Sequence, residues 1–122
     1  MALAEGFDTS QTMLAGEFLV LGQLIKRGCL ASVTLGNAKS VDILVYNPRT
    51  LRNFSVQVKA LRKRNAFPLK RERVIRDHIY VFVILGQRDE AEKFYIVRGD
   101  KLLQDVNHFG EVAISITRRY PQ

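Results

Sequence analysis

The sequence predicts an α/β domain, a mixed β-sheet flanked by helices. Three observations predict it. A helical apolar repeat opens the chain, two alternating runs around a turn follow, and a continuous apolar run reads as a strand buried on both faces. Helices and strands succeed one another along a chain of 122 residues, the size of one domain, so residues 1–122 are expected to form a single unit.

The first element spans about Gln11 to Arg27. Leu14, Phe18, Leu21 and Ile25 recur at helical spacing, with Met13, Val20 and Leu24 alongside, and are expected to form the buried stripe. Asp8, Thr9 and Ser10 offer N-caps; Lys26 and Arg27 suit the negative end of the helix dipole, and Gly28 suits the position after the last turn. Leu30 to Leu35 reads as a short strand ending at the turn Gly36-Asn37.

The stretch Ser40 to Leu61 reads as a hairpin turning at Asn47-Pro48-Arg49. Val41, Ile43 and Val45 share one face, and Asp42, Leu44 and Tyr46 the other. Phe54, Val56, Val58 and Ala60 share one face of the second run, and Ser55, Gln57, Lys59 and Leu61 the other. If the apolar faces coincide, even-numbered residues of the first run must oppose odd-numbered residues of the second, and Asp42 joins Gln57 and Lys59. A carboxylate, a carboxamide and an ammonium then stand on one face.

Residues 62–69 read as a loop, and Lys70 to His78 as a short basic helix. Ile79 to Leu85 is the strand buried on both faces, expected at the centre of the sheet. Lys93 to Val97 is a further strand, Lys101 to about Asn107 a helix ending near Gly110, and Val112 to Ile116 a last strand or extended tail.

Composition narrows the function. Nearly half the residues are apolar (47%), enough for a core without a disulfide or metal staple. The single Cys29 cannot pair within the chain, fits a reducing compartment, and reads as a small buried hydrophobe. No signal peptide and no membrane-length apolar run is evident, so a soluble, cytoplasmic protein is expected. The net charge of +7 is concentrated: Lys59 to Arg76 holds eight basic residues and one acid. Such a block is the footprint of a polyanion partner or, alternatively, a solvated loop.

Glu17 lies on or beside the predicted apolar stripe. Burying a lone carboxylate costs several kcal/mol unless it is paired or binds a metal, so Glu17 is an edge residue, half of a salt bridge, or a ligand. With Asp42, Gln57 and Lys59 it completes a set of oxygen donors plus one cation. Hard oxygen ligands suit Mg²⁺ or Mn²⁺ rather than Zn²⁺. His78 and His108 share no ligand spacing and read as structural.

These residues carry a resemblance. Asp42, fourteen residues, then Gln57-Val58-Lys59 resembles the signature of the PD-(D/E)xK nuclease superfamily. There, a helix with a Glu precedes three strands, the second bringing the Asp and the third the (D/E)xK. Gly16-Glu17, the run Asn37 to Asp42, and Val56-Gln57-Val58-Lys59 follow that order over about residues 10–98. The outline is similar to Holliday-junction resolvases and other restriction-endonuclease-like proteins. The resemblance implies a metal-dependent DNA endonuclease; a chain this small cannot enclose a duplex by itself, so a homodimer with one site for each strand is expected. It makes Glu17, Asp42 and Gln57 ligands of Mg²⁺ or Mn²⁺, and Lys59 the catalytic lysine. Lys39, Ser40, Arg62, Lys63, Arg64, Lys70, Arg71 and Arg73 would contact DNA. The sequence departs from the pattern twice: Val41 stands where the family has proline, and Gln57 replaces the acid. A neutral amide holds Mg²⁺ less strongly than a carboxylate, so the alternative is a nuclease fold that binds nucleic acid without cutting it, alone or within a larger complex. A third reading makes the polar strand face merely a solvated sheet surface.

Overall fold

The computed structural model describes residues 9–34, 43–62 and 71–104. Helix α1 (Thr9–Lys26) leads into β1 (Leu30–Val33), β2 (Ile43–Asn47) and β3 (Arg52–Leu61). A single 3-10 turn (Arg71–Arg73) precedes β4 (Ile79–Ile84), β5 (Lys93–Arg98) and α2 (Gly99–Gln104). The five strands lie in chain order in one sheet. All neighbours are antiparallel except β3 and β4, which run parallel. The sheet is mixed, as expected. The strand expected at its centre, β4, lies one place in from the edge pair and is buried on both faces; β3 holds the middle.

Partners across a sheet share a face, so the register assigns every side chain. Val56, Val58 and Ala60 of β3 lie with Ile43 and Val45 of β2 and with Val81 and Val83 of β4. This apolar face packs under α1, through Val20. Gly16 lets the helix come close, since a Cβ there would sit 2.6 Å from the Cβ of Ala60. The opposite face carries Tyr80, Phe82, Ile84, Tyr95 and Val97, sealed by Val74 and by Leu102 of α2.

The helix buries one side of the expected stripe: Val20 is in the core with Met13, Leu21 and Leu24 packed against it, and the other side faces out. Leu14, Phe18 and Ile25 are exposed (44%, 51% and 52%), and Ala15 and Leu19 pack beside Val20. The segment is apolar almost all round, so spacing alone fits two overlapping stripes. The small residue at position 16 favours the observed one, because it is there that the helix comes close to Ala60 of β3. Val20→Ala should therefore cost about 2 kcal/mol of stability, and Phe18→Ser less than about 0.5 kcal/mol. Thermal melts of the two variants check the order.

Past the last turn, Gly28 takes a positive φ of 95°. Cys29 N–H donates to Leu24 O at 3.0 Å and Gly28 N–H to Ile25 O at 3.0 Å, the paired bonds of a Schellman cap. Cys29 is half-buried against the α1-facing core. The hairpin turn takes Pro48 to Leu51, one step longer than its sequence signal, and Arg49 N–H donates to Asn47 Oδ1 at 3.0 Å. Over the described residues 71–78 the expected basic helix is reduced to the 3-10 turn Arg71–Arg73, and Val74 is the one described side chain there that is buried in the core. The expected elements at residues 35–42, beyond Gln104 and over Val112 to Ile116, as well as Asp8 and His108, lie outside the described residues. No helix among the described residues is long and apolar enough to cross a membrane.

Candidate active site

Strand β3 sets Gln57 and Lys59 on one face by simple alternation. The pairing with β2 has the parity that the sequence demands: Leu44 opposes Ser55 and Tyr46 opposes Asn53, even against odd. Across the parallel pair, Gln57 stands beside Tyr80 and Lys59 beside Phe82. On the β4 side their face is sealed by Val74 and Leu102; a separate concavity over β1, β2 and the start of β3 is lined by residues including Ser32, Leu44, Tyr46, Asn53 and Ser55, and neither Gln57 nor Lys59 lines it.

Gln57 is 6% exposed, a buried polar side chain in an otherwise apolar core. An unpaired carboxamide there would cost on the order of 1–3 kcal/mol. It is paired: Nε2 lies 2.9 Å from Nδ1 of His78. His78 is fixed by its own backbone, its N–H donating to Ile75 O (3.1 Å) and its carbonyl accepting Gly99 N–H (2.7 Å). Ile75 is fixed in turn, its N–H donating to the Tyr80 hydroxyl oxygen at 2.8 Å. Burial pushes the Tyr80 phenol up from its ordinary value, and the Ile75 N–H on its oxygen offsets this in part, so the hydroxyl stays neutral at pH 7. Lys59 is half-buried.

Glu17, also half-buried, projects from α1, the helix that covers the other face of the sheet, and has a partner within the chain. The described part of β2 pairs with β3 as far as Ile43 opposite Val56, and β4 runs beside β3 as far as Leu61. Arg62 closes this end of β3, its Nε donating to Thr12 Oγ1 of α1 at 3.0 Å. No three His, Cys, Asp or Glu residues come together among the described residues. Of the sequence-predicted oxygen donors, the Gln57 carboxamide and the Glu17 carboxylate are described; both are of the hard type that suits Mg²⁺ or Mn²⁺, and Gln57 lies on the sheet face away from α1, which carries Glu17.

No protein-family model matches the sequence, and no curated protein matches it. Two solved structures share its architecture. One is a bacterial homing endonuclease: TM-score 0.65, 18% identity, covering 96% of this chain and 82% of that one. The other is Hjc, a Holliday junction resolvase from the archaeal hyperthermophile Archaeoglobus fulgidus: TM-score 0.56, 18% identity, covering 83% of this chain and 85% of that one. The fold is restriction-endonuclease-like.

Within the restriction-endonuclease-like fold, the sequence-predicted residues divide into three groups. Gln57 and Lys59 are brought together on β3. Glu17, Arg62 and the exposed Arg73 are described apart from that pair. Asp42, Lys39, Ser40, Lys63, Arg64 and Lys70 lie outside the described residues, and of Arg71 only the backbone is described. Sequence reasoning set His78 aside as an isolated structural histidine. Its contact with Gln57 crosses 21 positions and depends on the parallel register, which pairs Val56 with Ile79. The one available signal was its place directly before the doubly buried strand.

Proposed function

We propose that this chain is a metal-dependent endonuclease that hydrolyses phosphodiester bonds in DNA. The observation that carries the reading is the Gln57–Lys59 pair on one face of the middle strand of a restriction-endonuclease-like sheet. The site lies at the β2-side edge of β3. Glu17 on α1 and Asp42, which directly precedes Ile43 in the sequence, are the carboxylates assigned to it by the sequence pattern. The Gln57 carbonyl oxygen and the two carboxylates would hold Mg²⁺ or Mn²⁺. When bound, such an ion polarises a phosphoryl oxygen and lowers the pKa of its water.

The protein's own contribution is positional and electrostatic. The Lys59 ammonium, held on a rigid strand, neutralises charge that builds on the phosphate as the bond breaks. The basic stretch from Arg62 to Arg76 grips the phosphate backbone without reading sequence. Two copies related by a two-fold axis would offer one site to each strand of a duplex.

The neutral Gln57 amide, already hydrogen-bonded inside the chain, supports a second reading, in which the fold binds nucleic acid without cutting it. A cleavage assay decides. Purified protein is incubated with duplex, junction, flap, nicked and RNA substrates in Mg²⁺, in Mn²⁺ and in EDTA. Cleavage of a DNA substrate with either ion, and none with EDTA, is expected. Binding without cleavage on every substrate would select the second reading, and cleavage that survives EDTA would remove the metal.

A further inference from the structure

We infer that the outer face of α1 is the contact between two copies of this chain, helix against helix across a two-fold axis. The inference is independent of the endonuclease reading: it would stand equally for a chain that binds DNA without cutting it.

A surface helix normally turns charged residues to the water. Helix α1 does not. Its 18 residues hold two ionisable side chains, Glu17 and Lys26. Leu14, Phe18, Leu21 and Ile25 follow one another in steps of four, three and four, the spacing of an apolar stripe that pairs with a second helix. The core takes only the edge of that stripe. Leu21 packs partly against it, whereas Leu14, Phe18 and Ile25 are exposed. The side of the sheet that α1 covers has further apolar surface, since Phe94 and Ile96 of β5 are only half-buried there.

The chemistry of this face selects its occupant. Nucleic acid would need cations, and Lys26 is the one cation of the helix. A helix that lies in a lipid surface carries Lys and Arg along its polar side, which α1 lacks. An acidic protein would find nothing along the stripe to pair with. A second copy fits, because a two-fold contact sets a patch against itself and an apolar stripe is its own complement. Charge narrows the choice further. Each chain carries +7, so two copies repel wherever their basic stretches meet, and an uncharged face is where they can touch. The helix is about 27 Å long, and seated against its twin such a face buries on the order of 600 Å² per partner, the low end of a specific interface. A reversible dimer at micromolar concentration is therefore expected. Gln57 and Lys59 lie on the other face of the sheet, so the contact buries neither.

Sedimentation equilibrium of the full chain, without DNA or metal, tests the contact in wild type and in F18S, I25E and L44E. By symmetry each substitution enters the contact twice. A tenfold loss at each copy's residue raises the dimer dissociation constant about 100-fold, the result expected for F18S and for I25E. Leu44 is exposed on the opposite face of the sheet, so L44E should leave the dimer unchanged. The stripe is exposed in a single copy, so below the dissociation concentration the variants should melt close to wild type; above it, the melting temperature should rise with concentration in wild type and L44E only. F18S replaces an exposed ring by a small polar group, and keeps the test valid if I25E fails to fold. A wild-type chain that stays monomeric at high micromolar concentration would overturn the inference, and its co-sedimentation with phosphatidylcholine vesicles would assign the stripe to a lipid surface instead. A dimer kept in both F18S and I25E, or weakened equally by L44E, would place the contact elsewhere and overturn it too, whatever the cleavage assay gives.

Discussion

Replacing Lys59 by methionine is expected to lower the single-turnover cleavage rate on the order of 10²–10³-fold, the usual effect of deleting one preorganised charge stabiliser. Methionine retains most of the stem that packs along β3 beside Phe82, and removes the charge. Stability should hardly change. DNA affinity should fall little, because Lys59 is one of eight basic residues between positions 59 and 76. Arginine should not restore the rate, since a planar guanidinium on a half-buried strand position cannot reproduce a compact ammonium. Single-turnover kinetics and a binding titration measure the two quantities separately. A normal rate in K59M would mean that the chemistry lies elsewhere; a matching collapse of binding would make Lys59 a backbone contact.

Gly99→Ala is expected to destabilise the fold by about 2–3 kcal/mol, the range for forcing atoms into a packed interior. The added Cβ would run into the Ile75 carbonyl and lie 2.9 Å from the Arg76 carbonyl oxygen. Both belong to the turn that holds His78. Either α2 or the turn must move, and the Gly99 N–H bond to His78 must stretch. A melting temperature lower by roughly 10 °C is the readout. By contrast, an alanine at the exposed Gly22, where a Cβ would meet nothing within 4 Å, should raise stability by about 0.5–1 kcal/mol. An unperturbed G99A melt would show that the turn yields easily, and would weaken the case that it holds His78 rigidly.

The sheet was largely legible in the sequence because strand alternation is local and unforgiving. Parity alone put Gln57 and Lys59 on one face, and the uninterrupted run from Ile79 identified a doubly buried strand. The end of α1 was equally plain, because a glycine after Lys26 and Arg27 has one natural use. The orientation of α1 was only partly legible. Leu14 and Phe18 match the helical period as well as Met13 and Val20 do, and the close contact of Gly16 with Ala60 favours the latter. Nor could the basic stretch be read as more than helix-compatible, since one buried valine anchors a turn but not a helix. The Gln57–His78 contact was hidden for a different reason. It arises from a parallel pairing between distant segments, and no periodicity records which strands pair in parallel.

That pairing has a consequence for the order of assembly. The sheet consists of two antiparallel pieces, β1-β2-β3 and β4-β5, each closed by connections within its own stretch of chain. They meet along one parallel seam, β3 against β4, which needs a longer loop closure and a slower search. The Gln57–His78 bond spans the seam. A chain that has made its hairpins but not its seam has an unoriented carboxamide and a histidine with nothing to hold. Copies caught before the seam closes would therefore expose a Gln57 carboxamide that the finished fold leaves only 6% exposed.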